Sequence, residues 1–562
     1  MVIMKTLLLL MLLLQLPDFD DAVLSLSGAS CIEELSEESL DFYRELNEHP
    51  LYLNRVSLSR LRSCGLFSAY QAASIDDYRR RSGDILSFNE LAFVDGIGKT
   101  MAEALRHFVS LDSDAAPGTS RGKDLECSIT ASSALSLLPK TDLDYPSPPD
   151  MRNKCGFKMD LQYAERSSLK WNMRSSFSEK MSFPGTLSIC HYSRRLPIKF
   201  IAGHFNARFG QGLVSWTGFR LKSFSSISAF SLSGSGLSPT SAAGAEMCGL
   251  ASSASLGKTE INLGWSYLSK ELIFNVNHNS KSLSCGITAN LESASADFRW
   301  SLPSLAVFGE YAIHFSKGPA AVTGAIWTPK YGLSLALTGR YYATSHCEYS
   351  GIAVGIGTNA IMSSIDFSKN EYKGKKKIKY LLEWKSPSPL GNSGLTPKAR
   401  LSVSGLFPDQ KKIKTELRLD LNYSKVPFQL NVRADASYME HLGLLGYCEA
   451  AYISKLLKTY LRFILFDIKD WDGRIYCYER NAPGNFTIPA YYGKGYAVSS
   501  YSAISLGSAH GIWFRASWTA CSRDSIKRKS ELQFSLQYRY KLSTRRFKKP
   551  KEQSEIPFQK AA

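Results

Sequence analysis

A chain of 562 residues with 44% hydrophobic and 12% aromatic side chains can bury a large apolar surface and has room for more than one domain. A formal net charge of +18 suits an anionic partner, nucleic acid or a lipopolysaccharide-like surface, while leaving the fold open. Eleven scattered cysteines without a C-x-x-C pair, and nine dispersed histidines without an H-E-x-x-H, argue against zinc sites and thioredoxin-type redox chemistry.

The chain begins with Lys5 ahead of Leu7-Leu8-Leu9-Leu10-Met11-Leu12-Leu13-Leu14 and turns polar at Pro17-Asp18. A short basic start and an apolar core of about 8–10 residues read as a secretory signal, too short for a membrane helix. Cleavage is expected near Ser27-Gly28-Ala29, which makes residues 1–29 a signal peptide. Cys31 raises lipidation, but Gly28 stands where a lipobox wants a branched apolar residue. No later stretch reaches the ~18–20 apolar residues of a membrane helix, so an exported chain of this kind is periplasmic, secreted or an outer-membrane barrel.

Residues 32–48 predict an acidic amphipathic helix with Leu35, Leu40, Phe42 and Leu46 on one face, ended by Pro50. A segment with Leu58 and Leu61 leads to Cys64-Gly65-Leu66. A further helix carries Ala69, Ala72, Ile75 and Tyr78 and closes on Arg79-Arg80-Arg81-Ser82-Gly83. After Leu86–Leu91 comes Val94-Asp95-Gly96-Ile97-Gly98-Lys99, then a last helix lined by Met101, Leu105 and Phe108. Two glycines around one apolar residue, just ahead of a helix, make a tight turn whose backbone N–H groups can seat a phosphate.

This order of short helices and turns over residues 50–111 resembles a tandem helix-hairpin-helix domain of the kind found in competence-type DNA receptors and repair proteins. The resemblance implies that Gly96, Ile97 and Gly98 donate backbone N–H bonds to a DNA phosphate without reading sequence, with Lys99 and Arg106 adding charge. Gly65 would be the counterpart in the first hairpin, but Cys64-Gly65-Leu66-Phe67 lacks the second glycine and Phe67 would crowd a phosphate. A hairpin domain kept only for folding or docking fits the same residues.

Residues 112–122 are small and polar, a linker that separates the helical domain (32–111) from a long β region. From 123 to 542 period-two alternation recurs: Ile261, Leu263, Trp265 and Tyr267; Leu417, Leu419, Leu421 and Tyr423; Phe428, Leu430, Val432, Ala434 and Ala436; Leu532, Phe534, Leu536, Tyr538 and Tyr540. Segments of about ten residues with one apolar face predict a mostly β chain with a large antiparallel sheet of roughly 16–22 strands. Such a count is too high for one open sheet, and the polar faces mix Arg, Asp, Glu and Gln as a wet lumen does. Tyr341-Tyr342, Tyr491-Tyr492 and Trp300 near strand ends suit interfacial girdles. The expected architecture is a small all-α domain followed by a transmembrane-type β-barrel in outer-membrane lipid, with a basic tail over 543–562. A secreted soluble β protein shares the alternation.

Two stretches stand out: Arg208-Phe209-Gly210-Gln211-Gly212 through Phe219, and Trp471 through Arg480 followed by Ile488 through Gly495. Both are similar to segments of uncharacterised Gram-negative envelope proteins that join an exported helix-hairpin-helix domain to a C-terminal barrel. Gly210-Gln211-Gly212 reads as a bulge or sharp turn, because no Lys-Ser/Thr and no parallel β-α unit come after it. Arg474, Glu479 and Arg480 are expected in a lumen charge network. Three basic runs, Lys373–Lys379, Arg523–Lys529 and Arg545–Lys551, read as solvated loops or tails.

No G-x-S-x-G elbow and no G-x-x-x-x-G-K-[ST] loop is present, and neither enzymatic activity, a metal nor a cofactor is expected. Two functions compete. In one, the helical domain sits in the periplasm and handles DNA non-specifically beside an outer-membrane barrel. In the other, a non-enzymatic transport or assembly barrel carries a helical domain that docks an envelope protein or plugs the lumen.

Overall fold

The computed structural model describes residues 19–113, 125–138, 150–163, 166–175, 185–193, 196–221, 223–329, 332–386, 390, 394–407, 413–425, 427–523 and 526–544. The apolar leader, the linker beyond Ser113, the basic tail beyond Thr544 and the side chains of Arg523–Lys529 lie outside the described residues.

Serines set the helix starts in the N-terminal domain. Ser36 accepts from Ser39 N to open α2 (Glu37–Glu48), after a helix α1 (Phe19–Ser27) and a 3₁₀ turn at Ile32–Glu34. Ser57 opens α3 (Leu58–Ser63), Ser68 opens α4 (Ala69–Ser82) with a full capping box to Gln71, and Ser87 opens α5 (Phe88–Leu91). The single helix expected over 32–48 is therefore broken, because Ser36 in extended backbone caps α2 and ends the 3₁₀ turn. The last helix, α6 (Gly98–Leu105), stops before Phe108, which is fully buried.

These helices share one core that includes Leu40, Leu61, Ile75, Leu91, Leu105 and Phe108. A two-residue parallel bridge, Leu51–Tyr52 with Val109–Ser110, ties the start of the helical region to its end. Asn54 stitches the same place. Its amide donates to the carbonyls of Ile85 and Leu111, and its oxygen accepts from Ile85 N. Helix α1 belongs to this core, since Ala22 and Val23 are buried in it.

The β region closes into a barrel of 24 antiparallel strands. The final strand, Ile526–Ser543, pairs with the first, Leu125–Leu138, from Leu532 opposite Leu137 to Ser543 opposite Glu126. The wall exceeds the expected upper count by two strands because several strands are short, such as Thr186–Tyr192 and Leu283–Ala289, and turn back within a few residues. An additional short strand, Gly236–Pro239, pairs with the upper part of Ile198–Arg208, while the wall itself continues from Ile198–Arg208 to Met247–Leu256. Because the strand number is even, both ends of the wall lie at one rim, called here the terminal rim.

The barrel is apolar outside and polar within. Leu417, Leu419 and Leu421 are exposed, while Arg418, Asp420, Arg433 and Asp435 point inward and pair across the ladder. Phe274, Ile287, Ile313, Ile352 and Phe463 are likewise exposed, and Asn262, Asn275, Thr288, Glu310 and Arg462 are buried. A soluble sandwich would bury the apolar face. An exposed apolar band around a closed wall is the signature of a membrane barrel.

Of the residues expected in girdles, Trp300 and Tyr341 are exposed near strand ends, Tyr342 and Tyr492 are only partly exposed, and Tyr491 is not exposed. That residue is buried inside the barrel, in a long segment that folds back into the lumen and pairs Ile475–Tyr476 with Ala490–Tyr491. A second segment, running from Phe209 to Glu246, also turns inward and seats Phe230 against the wall. The lumen is therefore occupied rather than simply wet.

Candidate functional site: a charged helical plug in the lumen

Helix α2 has Glu37, Asp41, Glu45 and Glu48 at steps of three and four residues, which stack on one face of a helix. Leu40 and Tyr43 turn to the domain core instead. The acidic face meets inward cations of the wall. Glu37 pairs with Arg174 at 2.5 Å, Glu38 with Arg208 at 3.1 Å and Glu45 with Lys170 at 2.6 Å. Glu48 pairs with Arg539, and His49 lies 2.5 Å from Glu126. Arg174 and Arg208 close their strands at the rim opposite the termini, whereas Glu126 and Arg539 lie toward the terminal rim. Helix α2 thus runs lengthwise through the barrel.

The 3₁₀ turn ahead of it docks on a different part of the wall. Glu33 takes Arg433 at 2.6 Å and Arg418 at 3.3 Å, and it also accepts from Tyr478 N at 3.2 Å. Glu34 takes Arg400 at 2.5 Å, and Lys398 donates to the Ser30 carbonyl. Helix α1 adds Asp20 with Arg480 at 2.9 Å and Asp21 with Lys385 at 3.3 Å. Partners come from strands on opposite sides of the circumference, which is the geometry of a plug and not of a domain resting on one edge.

Burial opposes charge on Glu33, but Arg418 and Arg433 overcome it and hold its carboxyl well below the usual range. Glu34 behaves alike through Arg400, and Glu45 through Lys170 and Lys158. Glu37 is the exception: burial outweighs Arg174 and pushes its carboxyl up. The inward segments reinforce the dock, with Gly484 N donating to Asp41 at 3.0 Å and Ser225 Oγ reaching the Gly28 carbonyl.

Of the three residues expected in a lumen network, two are there. Arg480 bridges Glu449 and Asp20, and Glu479 takes Arg515 and Tyr491. Arg474 instead stacks on Trp471, 4.5 Å from the ring centre. The Gly210-Gln211-Gly212 turn does hold an anion, but one from its own wall: Gln211 N and Leu213 N donate to Glu310 at 2.6 and 3.2 Å. Among the described residues no cluster of His, Cys, Asp and Glu forms a metal site.

The residues expected to seat a phosphate divide. Gly96 and Gly98 are exposed with φ of +81° and +72°, and Lys99 is exposed beside them. Ile97 turns into the core. A Cβ on Gly96 would sit 2.9 Å from Tyr70, whereas one on Gly98 meets nothing within 4 Å. The Gly96 carbonyl accepts from Gln71 at 2.7 Å, and Arg106 lies over the Phe88 ring at 5.0 Å. Gly65 is elsewhere, facing Phe42 of α2 inside the barrel, so the structure does not bring the two hairpin turns onto one surface. The Gly96 turn lies at the terminal rim, where Lys281, in the turn between Glu271–Asn279 and Leu283–Ala289, pairs with Asp77 at 2.9 Å and approaches Asp95 at 3.8 Å. Phe93 and Leu86, beside the turn, are 87% and 80% exposed.

No family model matches this chain, and no curated protein matches it. Solved structures similar to it are outer-membrane barrels. OccAB3 of Acinetobacter baumannii aligns over 75% of this chain and 99% of its own at 9% identity and a TM-score of 0.31. The translocation pore of the P pilus usher PapC aligns over 74% and 99% at 8% identity and 0.34. An E. coli P pilus tip assembly intermediate containing PapC aligns over 76% of this chain and 62% of its own at 9% identity and 0.47. At such identities and scores the likeness extends to the barrel outline alone.

Proposed function

We propose that this protein is a non-enzymatic transport or assembly barrel of the outer membrane whose own N-terminal domain plugs the lumen, with the terminal rim facing the periplasm. The ion-pair belt between the acidic residues Glu33, Glu34, Glu37, Glu38, Glu45 and Glu48 and cations spread around the wall carries the reading. Partly buried pairs of this kind fix orientation more than they stabilise, because each ion loses part of its hydration on docking. That suits a plug that must seat in one pose and still leave. Full-length protein in a planar bilayer should show only a small steady conductance. Charge reversal at both Arg418 and Arg433 should produce frequent large openings. A large conductance in the unaltered chain, unchanged by the reversals, would defeat the reading.

A second reading, DNA handling in the periplasm, draws support from the exposed Gly96 to Gly98 turn with Lys99 at the rim. Asp77 and Asp95 beside that turn weigh against it, as does the placement of Gly65 inside the barrel. Full-length protein in detergent should bind duplex DNA with steep salt dependence if this reading is right, and Lys99→Glu should weaken that binding.

A further inference from the structure

The plug does not fill the lumen completely. Between α2 and the wall runs a cavity of about 900 Å³. Its lining reaches from Ala242 and Glu246 at the rim opposite the termini to Arg166 and Ser167 at the terminal rim. A free volume of this size is several times that of a small amino acid and far below that of a folded domain. That admits solutes of amino-acid size and excludes DNA, pilin-like subunits or any folded chain while α2 is seated.

The plug side of this lane is mainly acidic, with Arg60 the exception, and the wall side mainly basic, with Glu246 the exception. Glu37, Glu38, Asp41 and Glu45 line it from α2, and Lys158, Lys170, Arg174 and Arg208 from the wall. Three ion pairs cross the gap: Glu37 to Arg174, Glu38 to Arg208 and Glu45 to Lys170. A passing solute must break them in turn. A neutral polyol leaves both partly buried ions uncompensated at each step, and a simple anion leaves the carboxylate so. A zwitterion replaces both partners at once, its ammonium taking the carboxylate and its own carboxylate taking the Lys or Arg. We infer that the lane along α2 passes small zwitterions, of amino-acid size, with the plug in place. This rests on the plug reading above and names the solute class for it.

The test uses the full chain in liposomes and compares swelling in glycine, glycolate and raffinose. Glycine should enter about fivefold or more faster than glycolate, and raffinose should not enter. Ser168→Trp, which fills the lane from the wall, should abolish glycine entry while heat-modifiable gel mobility reports an intact barrel. Replacing the pair nearest the terminal rim by Glu45→Gln with Lys170→Met should narrow the difference between glycine and glycolate. Equal entry of glycine and glycolate into the unaltered protein would overturn the selectivity. No glycine entry with raffinose also excluded would overturn the lane and leave the plug standing. Fast raffinose entry would overturn the plug, and the lane with it.

Discussion

Glu33 sits at the junction of plug, wall and inward segment. Its side chain is 9% exposed between Arg418 and Arg433, each of which also pairs with a wall aspartate. Glu33→Gln leaves these two arginines short of one negative charge, and breaking a buried pair from one side costs about 3 kcal/mol or more. The open population in single-channel records should therefore rise by about a hundredfold. The same carboxylates set a pH limit. Glu33, Glu34 and Glu45 are held below their free values when docked, so their contribution is complete above the free carboxylate range, about pH 4.3 for Glu, and is lost as pH falls through the docked values. Glu37, pushed up, works in the opposite sense and blunts the effect slightly. Channel opening should be flat from about pH 8 to 5 and climb below about pH 4. At the rim, Gly96→Ala combines an unfavourable φ with a Cβ against Tyr70, and should cost about 2 kcal/mol of domain stability in denaturant titrations. Gly98→Ala, with open space around it, should cost about 1 kcal/mol.

The elements were legible in the sequence to different degrees. The alternating strands could be read directly, since Leu417, Leu419 and Leu421 against Glu416, Arg418 and Asp420 leave one pattern only. Strand number was harder, because a seven-residue strand such as Leu283–Ala289 carries little alternation of its own. The Gly96 turn was placed correctly as a turn, and its surroundings were not, because Lys281 and Asp77 are far apart in sequence. The acidic face of α2 was visible as spacing, but its meaning depended on lumen cations contributed by many strands. The available signal was charge complementarity between an acidic helical segment and basic residues such as Lys398, Arg400, Arg418 and Arg433 on inward strand faces. Helix α1 bears on the leader. Processing near residues 27–29 would remove Ala22 and Val23 from the core, about 1.5–3 kcal/mol for the valine alone, together with the Asp20 and Asp21 pairs. N-terminal sequencing of the exported protein should find a start before Phe19. The buried Cys31, whose sulfur accepts from Arg400 at 2.8 Å, should carry no lipid; a mature start at Cys31 would contradict both.

At the scale of the molecule, an apolar band faces outward, a charged wall faces inward, and residues 19–113 fill much of the lumen. The helical domain could not have been placed from its own sequence, since its hairpin pattern fits a free DNA-binding module equally well. The central claim is that this domain occupies the lumen in the membrane-inserted protein. The most direct measurement is photo-crosslinking in intact cells from a benzoyl-phenylalanine introduced at Asp41, with peptide mapping of the products. The plug account predicts intramolecular crosslinks to wall peptides containing Lys158 or Arg174 and to the inward segment around Gly484. Crosslinks only to other proteins or to DNA, with none to these segments, would contradict it.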